Sequence, residues 1–217
     1  MAFSTEEEET IESLKRWWKE NGSSLLIAVV VVFGGYFGWN AYQSSQQATA
    51  AAASDLYEQL GNAVIVAPGT QLSDAARSEA NMVIGQLKSE YSDTIYASYA
   101  ALFAARLAVE ADDLSTAEAE LQWLIDNAPS GDEALIRTAT SRLARVVLAQ
   151  GDADRALGIL DSVDAGVFAA EFAELRGDIY VAMGQTTQAE ASYQEAVEAG
   201  STSATLQMKL DDVLLGS

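Results

Sequence analysis

Residues 175–196, LRGDIYVAMGQTTQAEASYQEA, decide the fold, because their spacing of small and large residues recurs twice upstream. Gly177 is followed after 12 residues by Ala189, then after 4 by Tyr193 and after 3 by Ala196. The same offsets join Ala105, Ala117, Leu121 and Leu124, and then Ala144, Ala156, Leu160 and Val163. A fixed internal spacing is typical of repeat architectures. The chain therefore contains three copies of one structural unit.

The spacing within each unit predicts a helical hairpin. A small residue in the first helix lets the second helix approach closely, and turn-forming pairs lie midway at Asp112-Asp113, Gly151-Asp152 and Gly184-Gln185. The units are 39 and 33 residues apart, so we expect about five extra residues around Ser130–Glu133 and a looser turn inside a hairpin. The predicted repeats cover residues 95–129, 134–165 and 167–200.

Further helices flank the repeats. Residues 55–66 carry an apolar stripe that stops near Pro68-Gly69, namely Leu56, Leu60, Ala63, Val64 and Val66. A second helix, capped by Ser73 or Asp74, carries Ala76, Ala80, Val83, Ile84 and Leu87. We expect helices over 55–91 and 204–215 to cap the array, since a solenoid must cover its terminal apolar faces. The fold class predicted for residues 55–217 is an all-α helical-repeat solenoid.

A transmembrane helix precedes this domain. Residues 23–42 carry no charge, and that length is sufficient for one bilayer crossing. Lys15, Arg16 and Lys19 lie just before the segment and the next basic residue is Arg77, which predicts a cytoplasmic N-terminus and an external C-terminal domain. The alternative is a cleaved signal peptide with a site at Ala48-Thr49-Ala50.

The segments around this helix permit two interpretations each. Residues 1–22 form a tail in which Ser4 and Glu7 make a capping box, and the amphipathic helix after it is either a solvated lead-in or a docking peptide. Residues 43–54 are a spacer or a helix extension. Gly34 and Gly38 either admit a partner helix or are merely tolerated in lipid.

Composition excludes most chemistry. Twelve basic residues against thirty-two acidic ones give a formal charge of −20, which disfavours nucleic acid as a partner. The chain has no cysteine and no histidine, so thiol nucleophiles, His-based acid/base catalysis and Cys/His zinc sites are excluded. Acidic clusters such as Asp112-Asp113 are best interpreted as solvated surface. We expect no catalytic, cofactor-binding or metal-binding residue, and no enzyme.

A protein-binding groove is predicted on the first helices of the units, because helical arrays of this kind present a concave surface there. The spacing relative to Ala105, Ala144 and Gly177 selects Tyr99, Leu102, Arg106, Val109, Ser141, Arg145, Leu148, Glu174, Asp178 and Val181. Arg106 and Arg145 are suited to hold a carboxylate. The simpler interpretation, which we favour, is pairing with nearby acids, as of Arg106 with Glu110.

The third unit resembles the tetratricopeptide pattern in Gly177, Tyr180, Gly184, Ala189, Tyr193 and Ala196, and Pro129 lies at that pattern's terminating proline. Nearly the whole chain resembles the YfgM family of ancillary subunits of the bacterial Sec translocon. The resemblance lies in residues 15–22 (KRWWKENG), 38–39 (GW), 142–146 (RLARV), 175–178 (LRGD) and 207–210 (QMKL).

This resemblance implies a single-pass inner-membrane protein with a periplasmic domain. Its implied partners are the SecYEG channel, a membrane-anchored periplasmic chaperone and emerging client polypeptides. Two other functions stay open: a scaffold for envelope assembly or cell division, and a regulator that sequesters a cytoplasmic signalling protein through the N-terminal tail.

Overall fold

The computed structural model describes residues 5–64 and 72–215. These residues contain no strand, and a 3-10 turn at Gly166–Phe168 is the one helical segment that is not α. The α-helices are α1 (Thr5–Ala63), α2 (Asp74–Glu90), α3 (Ile95–Glu110), α4 (Leu114–Asn127), α5 (Glu133–Ala149), α6 (Ala153–Asp161), α7 (Ala169–Ala182), α8 (Thr186–Glu198) and α9 (Ala204–Leu215). The predicted all-α class is confirmed.

The chain divides into two compact units, Met1–Ala51 and Ala52–Ser217. In the first, residues 23–42 are helical, and their large apolar side chains are exposed. By length and composition this helix can cross a membrane. Residues 43–54 are helical as well. The predicted capping box of Ser4 and Glu7 lies outside the residues whose side chains are described.

The second unit contains the predicted repeats as three helical hairpins, α3–α4, α5–α6 and α7–α8. Of the twelve residues that define the repeat spacing, eleven are buried and Val163 is half-buried. Gly177 lies so close to the ring of Tyr193 that a Cβ placed on it would be 2.3 Å from Cε1. The equivalent positions in the other units pair alanine with leucine, Ala105 with Leu121 and Ala144 with Leu160. The small residue is thus matched to the size of the side chain opposite.

The turns inside the hairpins are equally tight. Three residues separate the two helices in every unit, and the middle one has a positive φ: 59° at Asp112, 88° at Gly151 and 70° at Gly184. The left-handed conformation reverses the chain at the end of a helix. Asp113 and Asp152 then cap the second helices, accepting hydrogen bonds from the amides of residues 116 and 155.

The prediction of a looser turn inside a hairpin is therefore wrong. The extra residues of the first repeat interval lengthen helices instead. Helix α4 has 14 residues where the equivalent helix α6 has 9, and α5 has 17 where the equivalent helix α7 has 14. Helix extension keeps backbone hydrogen bonds satisfied, whereas a longer turn would leave them to solvent.

Additional helices cover both ends of the array. Ser73 caps α2 by accepting a hydrogen bond from the amide of Ala76. Ala80, Ile84 and Leu87 of α2 repeat the 4 and 3 offsets of the second helices, and they pack with Ala53 and Leu60 of α1 and with α3. At the other end, Leu206 and Val213 of α9 pack against α7 and α8. Val66 and the predicted stop at Pro68-Gly69 lie outside the described residues.

Candidate protein-binding groove

A groove of about 420 Å³ opens between α3 and α5. Its apolar lining comes from Leu102, Ala105, Val109, Leu114, Leu121, Val146 and Ala149. Its charged lining comes from Arg106, Glu110, Arg142 and Arg145. An apolar floor with a few charged groups at its rim is the usual composition of a site that binds an organic ligand or peptide.

Four of the predicted groove residues meet here: Leu102, Arg106 and Val109 from α3, and Arg145 from α5. They converge because each lies on the first helix of its hairpin, at a fixed distance from the small residue that faces the second helix. Their binding role remains a prediction, but the structure brings them to one surface.

Two of the groove arginines have acidic partners. Arg106 Nε lies 2.7 Å from Glu110 Oε1, the pairing favoured from the sequence, and Arg145 Nη1 lies 3.0 Å from Glu171 Oε1. The side chains of Arg106 and Arg145 are 61% and 48% exposed. Exposed pairs of this kind contribute about 0–1 kcal/mol. Both arginines can therefore exchange their partners for a ligand carboxylate at small cost.

Ser141 joins the second of these pairs. Its hydroxyl oxygen lies 2.6 Å from Glu171 Oε1 and 2.6 Å from Arg145 Nη1, and Ser141 itself is buried. Partial burial of Glu171 opposes ionisation, but hydrogen bonds from Ser141 and Arg145 outweigh it, so the pKa of Glu171 is lowered. This network connects α5 to α7, and it places Ser141 beneath the surface on which it was predicted.

Arg142 was not predicted as a groove residue, although it lines the groove and is exposed. The prediction took the residue after each small residue of the first helix, which selects Arg145 on α5. Arg142 lies three residues earlier and is a neighbour of Arg145 on the helix surface, at an offset from Ala144 that the prediction did not include. The rotation of α5 relative to α3, which determines whether that offset borders the groove, is a tertiary property.

Tyr99 lies apart from the groove arginines, in an aromatic cluster. The ring of Tyr57 from α1 is 5.7 Å from that of Tyr96 and 5.8 Å from that of Tyr99, measured between centroids. Burial and the neighbouring Tyr99 hydroxyl raise the pKa of Tyr57. Tyr99 remains 38% exposed, and Tyr57 was missed because the prediction treated its helix only as a cap.

The candidates from the third unit lie against α9. Lys209 Nζ is 2.9 Å from Glu174 Oε1 and 2.8 Å from Asp178 Oδ2, and Asp178 also accepts a hydrogen bond from Tyr193. Partial burial opposes protonation of Lys209, but these carboxylates outweigh it and raise its pKa. Val181 is exposed beside Lys209, in a separate pocket of 250 Å³.

The remaining candidates lie elsewhere. Leu148 is half-buried against the core that α3–α7 share. Gly34 and Gly38 are on the apolar segment of α1, and a Cβ placed on either meets nothing within 4 Å. Over residues 5–64 and 72–215, no cluster of three or more acidic side chains is placed to hold a metal ion.

The hairpins and their groove define a tetratricopeptide-type helical-repeat protein. A model of the family described as tetratricopeptide repeat-like domain matches residues 15–214. A solved tetratricopeptide protein from Thermus thermophilus is 18% identical, with a TM-score of 0.48, over 75% of this chain and 81% of that one.

Curated relatives narrow the family further. The ancillary SecYEG translocon subunit of Haemophilus influenzae is 38% identical over 201 residues, which is 93% of each chain. The protein of the same name from Neisseria gonorrhoeae is 30% identical over 98% of this chain and 100% of its own length. The chain belongs to the YfgM family of ancillary SecYEG translocon subunits.

Proposed function

We propose that this protein is an inner-membrane-anchored adaptor of the Sec translocon whose α3–α5 groove binds polypeptides during export. The open groove on the first helices of adjacent repeats is the observation that carries the binding role. Family membership supports the place of action, and the single apolar helix among the described residues supports anchoring beside the channel. The polypeptides are emerging clients and a membrane-anchored periplasmic chaperone.

Tethering is the mechanism by which a weak groove becomes useful. A binding surface held near the channel by a short connection meets its ligand at an effective concentration in the millimolar range. The groove then needs only modest affinity, and clients are released readily after transfer. This property suits an adaptor that must bind many different sequences.

The proposed orientation has the N-terminus in the cytoplasm and residues 55–217 in the periplasm. Lys15, Arg16 and Lys19 on the N-terminal side support it, since basic residues are retained in the cytoplasm. Because the chain has no cysteine, single replacements report one position each. We expect Ala119→Cys, exposed on α4, to react with a membrane-impermeant maleimide in cells with a permeabilised outer membrane. Ser13→Cys should react only after the inner membrane is opened, and the reverse pattern would overturn the orientation.

Copurification tests the partners. The full-length chain, affinity-purified from membranes in mild detergent, should carry SecYEG subunits and the chaperone. Val109→Glu places a carboxylate in the groove and should reduce recovery of the chaperone and clients, while the channel subunits remain. Gln122→Glu on the exposed face of α4 serves as the matched control. Consistent absence of channel subunits from the unaltered protein would contradict the proposed place of action.

A further inference from the structure

Positive charge is concentrated in the groove of a strongly acidic domain. From residue 52 onward the sequence has twenty-six acidic and nine basic residues. Three of those nine, Arg106, Arg142 and Arg145, line the groove between α3 and α5. The lining contains three arginines against one carboxylate, Glu110, and a local excess of positive charge attracts ligands of the opposite sign.

Among the basic residues that the structure describes from position 52 onward, Arg142 is distinguished by having no hydrogen-bond or ion-pair partner. In residues 52–64 and 72–215, seven of the nine basic side chains form ion pairs, and Arg77 donates to the carbonyl oxygen of Leu107. Within the same ranges, Arg142 is the one basic side chain with neither a hydrogen bond nor an ion pair. The charge of Arg142 helps to lower the pKa of Glu171, although the two side chains form no ion pair. An unpaired guanidinium among so many carboxylates is available to an incoming acidic group.

The apolar floor of the groove restricts the chemical class of the ligand. Val146 and Ala149 follow Arg142 on α5, and Leu102 and Val109 face them from α3. A purely charged ligand would leave this apolar surface exposed to water. It would forgo the favourable free energy of burying that surface, which is about 25 cal/mol per Å². A ligand that satisfies both parts of the groove carries an apolar side chain next to an acidic group.

We propose that the groove selects polypeptide segments in which a large aliphatic or aromatic residue adjoins a carboxylate, and that Arg142 receives the carboxylate. Arg145, three residues along α5, supplies a second donor when it exchanges Glu171 for the ligand. The proposal rests on the proposed function, because it names the segments that the adaptor recognises. Arg106 on the opposite rim must first release Glu110, whereas Arg142 has no partner to release, so the geometry favours α5 for the acidic group.

Binding of defined peptides to the full-length chain in detergent micelles tests this selectivity. The probes are three nine-residue fluorescent peptides with blocked ends: alternating leucine and glutamate, alternating leucine and glutamine, and alternating serine and glutamate. We expect the leucine–glutamate peptide to bind roughly tenfold more tightly than either other peptide. The leucine–glutamine peptide lacks the charge-assisted hydrogen bond and the serine–glutamate peptide lacks the buried apolar side chain, and either loss is sufficient for a roughly tenfold difference in affinity.

Arg142→Gln should reduce the preference for glutamate over glutamine to less than about twofold, while the preference for leucine over serine persists. Arg155→Gln is the matched control, because Arg155 is bound to Glu118 outside the groove, and it should keep the full tenfold preference. Both variants are checked for unchanged circular dichroism.

Equal affinity for the glutamate and glutamine peptides would overturn the proposal while leaving an apolar polypeptide-binding groove intact. Loss of channel subunits in the copurification would instead overturn the proposed function. Failure of all three peptides to bind would also overturn the proposal. So would self-association of the chain that is abolished by Arg142→Gln, because it would place a second copy in the groove.

Discussion

Gly177 offers the sharpest test of how the repeats pack. A methyl group added there would lie 2.3 Å from Cε1 and 2.4 Å from Cδ1 of Tyr193. The ring cannot move freely, because Tyr193 is 2% exposed and its hydroxyl donates to Asp178 at 2.9 Å. Overpacking of this kind costs about 1–3 kcal/mol, and two close ring atoms place Gly177→Ala near the upper end. Alanine recovers about 1 kcal/mol of helix propensity, which leaves a net loss of about 2 kcal/mol.

The other two units predict how the loss is repaired. They combine alanine with leucine at the same pair of positions, so Gly177→Ala together with Tyr193→Leu recreates a combination that the chain already uses. Tyr193→Leu alone loses the hydrogen bond to Asp178 and leaves a gap, and should cost about 2 kcal/mol. The added methyl group fills that gap in the double variant. We expect the double variant to be more stable than the sum of the single effects by about 2 kcal/mol.

Equilibrium urea unfolding of the full-length chain in detergent, followed by far-ultraviolet circular dichroism, measures all four proteins. Gly85→Ala in α2 is the control, because a Cβ there meets nothing within 4 Å. It should raise stability by up to about 1 kcal/mol. Additivity of the two single effects to within about 0.5 kcal/mol would refute size matching between positions 177 and 193.

Three further changes test other parts of the fold. Asp112→Gly places glycine at the one non-glycine position with a positive φ in the described ranges, and relief of that strain should raise the unfolding free energy by about 0.5–1 kcal/mol; a decrease would contradict the strain. Leu124→Ala, at a fully buried position, should lower it by about 2–5 kcal/mol in the same urea titration, and an unchanged midpoint would contradict its place in the core. Lys209→Met should accelerate amide hydrogen exchange in α9 at neutral pH, and unchanged exchange would show that its two carboxylates do not hold this helix. Because the pKa of Lys209 is raised in the folded protein, the stabilisation by its ammonium group is complete below the unfolded pKa of about 10.4 and is lost as pH rises through the folded pKa. The unfolding free energies of the unaltered protein and of Lys209→Met should therefore converge as pH rises through the folded pKa.

The hairpins were predictable because they depend on local spacing. Twelve residues separate the small residue of the first helix from that of the second, as with Gly177 and Ala189, and the tight turn lies within that interval. The turn positions followed from the same count. Interval lengths alone did not show that α4 and α5 are extended, since an insertion can lengthen either a helix or a loop.

The surface was less predictable than the core. Glu174 and Asp178 were placed on the binding face, yet Lys209 contacts both from 35 and 31 residues away along the chain. Such a contact depends on where α9 docks, which helical periodicity does not specify. Arg142 was overlooked for the same reason, because the rotation of α5 against α3 determines which arginines border the groove.

Site-specific photo-crosslinking in living cells tests the central claim most directly. A benzophenone amino acid replaces Leu102 in the groove, and in a parallel strain it replaces Gln122 on the exposed face of α4. The proposed function predicts adducts with exported polypeptides and the membrane-anchored chaperone from position 102, and few or none from position 122. Adducts from position 122 with none from position 102 would show that polypeptides bind another face and that the α3–α5 groove is not the adaptor surface.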